Sequence, residues 1–128
     1  MKENLFGQLW NSNMPDTLKP EVHSFFDENT NAACYIVKDP SSSACAVIDS
    51  ILDFDLASGR TSTAHADMLI EVITSNQWTL EWVIETHVHA DHLSAAPYLA
   101  KKLGGKIAIG ANIESVQKVF GKIFNAGT

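Results

Sequence analysis

The sequence predicts an α/β fold in which strands pair in parallel through crossover helices. Three observations carry this. Two apolar runs flank the turn residues Asp39-Pro40-Ser41-Ser42-Ser43, an amphipathic helical pattern separates them from the next β-rich run, and Gly104-Gly105 divides a second helical pattern from a short strand. Strands alternating with helices of this length belong to layered folds with right-handed crossovers.

Residues 1–20 carry Asn, Ser, Asp, Pro15 and Pro20 among scattered apolar residues and read as an irregular arm, expected to pack through Phe6 and Trp10. From Val22 to Asp27 the chain is strand-like. Ala32–Val37 and Ala44–Ile48 form a hairpin across the Asp39–Ser43 turn, and Asp49 ends its second strand. Residues 50–63, with Asp53, Asp55, Gly59, Arg60 and several hydroxyl residues, read as a long surface loop. Ser62 or Thr63 is placed to cap a helix over 64–76, in which Met68, Leu69, Val72 and Ile73 recur at helical spacing. Leu80–Glu85 is a strand flanked by Trp78 and Trp82, both expected as core or half-buried anchors. A helix is expected over 93–103, with Pro97 awkward near its first turn and Gly104-Gly105 stopping it. Lys106–Ile109 is a strand, and Asn112 caps a last helix with Ile113, Val116, Val119 and Phe120 on one side.

The chain has 128 residues, 45% of them hydrophobic and 19% charged. That composition suits one globular domain and excludes disordered, collagenous and disulfide-scaffold classes. A net charge of −6 argues against nucleic acid as a partner, because phosphate binding needs a basic face. No apolar run approaches the ~20 residues of a membrane span, and the amino terminus lacks the basic-then-apolar order of a secretory signal, so a cytoplasmic protein is expected. Cys34 and Cys45 lie in apolar strands and read as free buried thiols. Lys101 and Lys102, late in a helix, read as solvent-facing.

The chemistry is concentrated in Thr86-His87-Val88-His89-Ala90-Asp91-His92, which holds three of the five histidines at the end of a strand. In extended backbone, residues i and i+2 share a side, so His87 and His89 can converge on one metal. Asp91 and His92 project differently, toward a second metal or a nucleophilic water. Ligands of open α/β sheets gather at the carboxyl ends of strands, where this motif stands. His23 and His65, each alone, read as surface or satisfied core histidines.

The pattern His-x-His-x-Asp-His resembles the metal signature of the metallo-β-lactamase superfamily. The resemblance runs over roughly residues 22–124. Ala46-Val47-Ile48-Asp49, the segment from Asp53 to Thr63, and Glu85 to Ser94 are most similar to bacterial persulfide dioxygenases and their glyoxalase II-like relatives. It implies the amino-terminal half of an αββα sandwich and a metal-dependent enzyme. In binuclear hydrolases of this kind, residues matching His87 and His89 bind one metal, and those matching Asp91 and His92 the other. In persulfide dioxygenases one non-haem iron is held by two histidines and an aspartate, His87 matching the first, with His89, Asp91 and His92 beside the metal or orienting water. The cofactor implied is iron or zinc, one or two ions, with Asp91 as the catalytic water-orienting carboxylate. The implied substrate is a small thiol, persulfide or thioester.

After His92 the sequence contains no His, Cys or Asp, and Glu114 is its one acid. The resembled families complete their site with later His and Asp residues. Residues 21–128 are therefore expected to be the amino-terminal half of a truncated domain, with an uncovered sheet face that favours self-association or pairing with the carboxy-terminal half. A non-catalytic fragment or interaction module is the reading from another class.

Overall fold

The computed structural model describes residues 18–126. The arm's Phe6 and Trp10 lie outside them. Strands β1 (Glu21–Asp27), β2 (Ala32–Lys38) and β3 (Ala44–Ile48) form an antiparallel meander with Phe25 opposite Cys34 and Tyr35 opposite Ile48. Carboxylates shape both turns: Asp27 Oδ2 accepts from Thr30 N at 2.9 Å and Thr30 Oγ1 at 2.6 Å, and Asp39 Oδ1 accepts from Ser41 N at 2.9 Å. The Thr30 hydroxyl holds the Asp27 carboxyl below the usual carboxylate range against the opposing effect of burial. A depressed pKa stabilises the fold above the unfolded-state value near 3.9 and loses that contribution as pH falls through the folded value. Thr30→Val is therefore expected to cost about 1 to 3 kcal/mol at pH 7. In urea titrations its deficit should shrink below about pH 4, and a deficit independent of pH would contradict this account.

The segment expected as a surface loop is instead a hairpin, β4 (Ile51–Asp55) and β5 (Arg60–Ser62). Its Asp, Ser and Gly residues serve the turn: Asp55 accepts from Ala57 N and Ser58 Oγ, and Gly59 takes a φ of 67°. Ile51 is fully buried and anchors the hairpin. Helix α1 (Ala64–Ser75) follows, with Thr63 at the cap position as expected, but the Thr63 hydroxyl donates to Asp67 Oδ2. The helix's free N–H at His65 is taken by Asp53 Oδ2 of β4 at 2.9 Å.

Strand β6 (Thr79–Glu85) lies parallel to β3, after a register shift at Cys45/Ala46 that turns both Leu80 and Val83 into the core. A two-residue strand, β7 (Leu93–Ser94), pairs with β4. Helix α2 (Ala96–Leu103) therefore starts three residues later than expected, and Pro97 falls in its first turn, where a missing N–H costs nothing. Strand β8 (Lys106–Ile109) pairs parallel with β6. Gly105, at φ 92°, precedes it; a Cβ there would stand 3.1 Å from the Leu80 carbonyl oxygen. Helix α3 (Ile113–Ile123) follows; Asn112 occupies its cap position without a side-chain hydrogen bond.

The result is a sheet in the order β1-β2-β3-β6-β8 and a small sheet β5-β4-β7. Cys34, Ile36, Val47, Leu69, Ile73, Val83 and Leu99 form the core beneath α1 and α2. Burial pushes the Cys34 thiol up to about 12 and the Cys45 thiol to about 11, and both are free. The opposite sheet face is incompletely covered: Tyr35, Val37 and Ile84 are half-buried. Trp82, expected as a core or half-buried anchor, is 41% exposed beneath the Lys106 ammonium, because the register shift between Leu80 and Val83 turns it away from the helices. Trp78 is half-buried beside His23. Lys101 and Lys102 are exposed, as expected. No residue of α3 is buried.

Candidate metal centre

The motif begins where β6 ends, beside the end of its parallel neighbour β3. The next residue of that neighbour, Asp49, has a left-handed backbone, φ 54°, with its N–H donated to the Ile84 carbonyl at 2.9 Å. This conformation suits Asp better than most side chains. It turns the carboxylate across to the motif: Asp49 Oδ1 accepts from Thr86 N at 2.7 Å and from His89 Nε2 at 2.9 Å, and Oδ2 accepts from Thr86 Oγ1 at 2.7 Å. Burial raises the Asp49 pKa, but the Thr86 amide, the Thr86 hydroxyl and His89 together outweigh it and hold the carboxyl below its usual range.

These hydrogen bonds assign the imidazole tautomers. Because the Thr86 hydroxyl proton goes to Asp49, His87 Nδ1, 2.8 Å from Thr86 Oγ1, must be the donor, leaving His87 Nε2 with its lone pair free. His89 donates through Nε2 to Asp49, which frees Nδ1. Both rings thus offer one unprotonated nitrogen, the form a metal requires.

The motif itself is irregular backbone rather than strand. His87 and His89 still converge, with ring centroids 4.3 Å apart, and His92 stands 4.2 Å beyond His89. Two sets of donor atoms each gather within 4.8 Å: Asp49, His87 and His89, and His89, Asp91 and His92. His89 belongs to both, whereas the resemblance to binuclear hydrolases implied one metal on His87 and His89 and another on Asp91 and His92. Asp91, 52% exposed at its side chain, lies at the rim with Oδ1 3.8 Å from His89 Nδ1. Its own backbone N–H, opposed by slight desolvation and aided by His92, holds its carboxyl below the usual range.

His92 supplies the test of fit. Its side chain is 2% exposed, yet both ring nitrogens are buried without a hydrogen bond; Asp91 Oδ2, at 3.4 Å, is poorly aligned for one. A native fold rarely leaves such a ring orphaned, and a bound ion would take the lone pair of one of its nitrogens. Three imidazoles and two carboxylates make a donor set suited to iron, zinc or manganese.

Sequence reasoning did not assign roles to two further groups. Glu85, buried at the end of β6, accepts from Ser94 Oγ at 2.5 Å through Oε1 and places Oε2 3.2 Å from His89 Nε2. Ser94 Oγ in turn accepts from Ala96 N at 3.0 Å, so β7 and the first turn of α2 brace the motif. For Asp49, its place at the end of a strand parallel to β6 was the available signal. His23 bonds Glu21 at the surface, as expected; the ring nitrogens of His65 are buried without partners, unlike those of a satisfied core histidine.

Comparison with known proteins identifies the family. Residues 29–127 match the metallo-beta-lactamase superfamily. The chain is 55% identical over 106 residues to a probable metallo-hydrolase of Burkholderia pseudomallei, covering 83% of this chain and 36% of that protein. It is 42% identical over 108 residues to glyoxylase B2 of Dictyostelium discoideum, covering 84% and 37%. In structure it is similar to ETHE1 from Myxococcus xanthus, with a TM-score of 0.60 at 23% identity, covering 72% of this chain and 36% of that one, a likeness of fold. The chain thus spans little more than a third of these relatives, and the family match over residues 29–127 covers most of it: it belongs to the metallo-beta-lactamase superfamily.

Proposed function

We propose that this chain is the amino-terminal, metal-bearing part of a cytoplasmic enzyme that acts at the sulfur of a small thiol derivative, with a glutathione-type persulfide as substrate and iron as the metal. The observation that carries the metal is the buried His92, its two ring nitrogens unsatisfied beside the open nitrogen of His89. The persulfide assignment rests on the resemblance of the Asp49, Asp53–Thr63 and Glu85–Ser94 segments to persulfide dioxygenases. A divalent metal held here supplies Lewis acidity toward the reacting group. The chain's own contribution is to hold His87 and His89 as neutral ligands through Thr86 and Asp49, and to keep an ionised Asp91 at the rim, where it can orient a water or take its proton.

The second reading is hydrolysis of a thioester or related acyl bond with zinc. It is favoured by relatives named metallo-hydrolase and glyoxylase, and by a donor arrangement in two sets. In either reading the half-exposed sheet face is covered by a carboxy-terminal half that brings the remaining ligands.

Metal analysis with oxygen-uptake and thioester assays on the full-length protein separates the readings. One iron per chain with persulfide-dependent oxygen consumption is expected; two zinc ions with thioester cleavage and no oxygen uptake would replace the first reading by the second. Turnover of neither substrate would leave the fragment or interaction-module reading.

A further inference from the structure

A second feature lies on the hairpin whose first strand pairs with β7, just after the motif. The β1–β2 turn and the β4–β5 hairpin enclose an open cleft of about 720 Å³, within the size range of small-molecule sites. The β4–β7 register relates the two: Ile51 faces Ser94 and Leu52 faces Leu93, and Asp53, a cleft residue, follows Leu52 directly on β4 as His92 precedes Leu93 in the chain. Arg60 stands opposite Asp55, two residues or about 7 Å farther along the same strand.

The cleft's charges are not equally available. Asp55 is committed to its turn through Ala57 N and Ser58 Oγ, and Asp27 to Thr30. Asp53 Oδ2 accepts from His65 N, and among the described residues Oδ1 has no hydrogen bond and the Arg60 guanidinium no ion pair. Residues directly opposite in an antiparallel pair share a face, so Asp53, Arg60 and Ser62 present a free carboxylate oxygen, a free guanidinium and a hydroxyl on one side of the hairpin. A ligand with one charge would leave one of these groups unanswered. A ligand carrying both charges a few ångströms apart answers both.

We propose that this cleft binds the zwitterionic α-amino acid end of the substrate, its carboxylate on Arg60 and its ammonium on Asp53, while the sulfur end reaches the metal centre. The proposal rests on the sulfur-substrate reading for its second half only. A guanidinium receives a carboxylate bidentately, which fixes orientation as well as affinity.

The test is calorimetric titration of the full-length, metal-loaded protein with S-methylglutathione, which cannot react, and with its α-N-acetyl derivative, which lacks the ammonium. Arg60→Ala is expected to weaken both about tenfold, with Arg60→Lys intermediate. The wild type should prefer the free amine about tenfold, and Asp53→Asn, which keeps an oxygen for His65 N, should erase that preference. Amide shifts at Asn29, Thr30 and Ser62 should move on titration, and unchanged melting temperatures would show that the variants fold. No saturable binding by the wild type, or equal binding by wild type and Arg60→Ala, overturns the proposal. Turnover assays keep the two ideas apart. Arg60-dependent binding without turnover leaves the cleft standing and removes the catalytic reading, and turnover with a KM indifferent to Arg60→Ala does the reverse.

Discussion

Asp49→Ala is expected to weaken metal binding by about 10- to 100-fold, the usual cost of losing a group that orients a ligand. The carboxylate is the common acceptor for Thr86 N, Thr86 Oγ1 and His89 Nε2. Without it the Thr86 hydroxyl no longer has to accept from His87 Nδ1, so that ring loses its assigned tautomer, and His89 loses its 2.9 Å acceptor and keeps only the longer approach of Glu85 Oε2 to Nε2. Alanine adds a separate backbone penalty, because φ at position 49 is positive. Asp49→Gly removes the carboxylate while relieving that strain. Chelator competition on both variants should give the same loss of affinity, and thermal melts should show Asp49→Ala the less stable. Wild-type affinity in Asp49→Gly would refute the role assigned to the carboxylate.

Leu69→Ala should have the largest effect on stability. Leu69 is fully buried where α1 meets the sheet, in the cluster with Ile36, Val47, Val83 and Leu99. Truncation removes its transfer energy and leaves a cavity, together about 2 to 5 kcal/mol, against a total stability of roughly 5 to 15 kcal/mol for a domain. Urea unfolding should show the loss as a lower midpoint at unchanged slope. Leu56→Ala, at a position 87% exposed, is the control and should shift the midpoint very little.

Patterns set by local chemistry were legible in the sequence. The meander, α1, β6 and β8 appear where alternation and helical spacing put them, and the histidine motif announced its own position. Features decided by distant partners were not. Residues 50–63 read as a loop because Asp55, Ser58 and Gly59 are turn formers; that Ile51 is buried and Leu52 meets Leu93 depends on pairing with β7, invisible locally. The same pairing converts the expected first turn of α2 into strand. Trp82 is displaced from the interior by a register shift between β3 and β6 that no local pattern marks. Asp49 and Glu85 stand at strand ends, where a single carboxylate has many ordinary uses, and only the parallel alignment of β3 with β6 gives Asp49 a histidine to hold.

That alignment also fixes the order of assembly. Asp49 meets His89 across a sequence separation of 40 residues, spanned by the β4–β5 hairpin, α1 and β6. Closing so long a loop has an entropic cost that must be met before β3 and β6 can zip together. A peptide carrying only the histidine motif therefore has the donors without their tautomers, and the centre comes into being only with the parallel pair. Metal then binds the closed chain far better than the open one, and each tenfold excess of metal over its dissociation constant adds about 1.4 kcal/mol to the closed form.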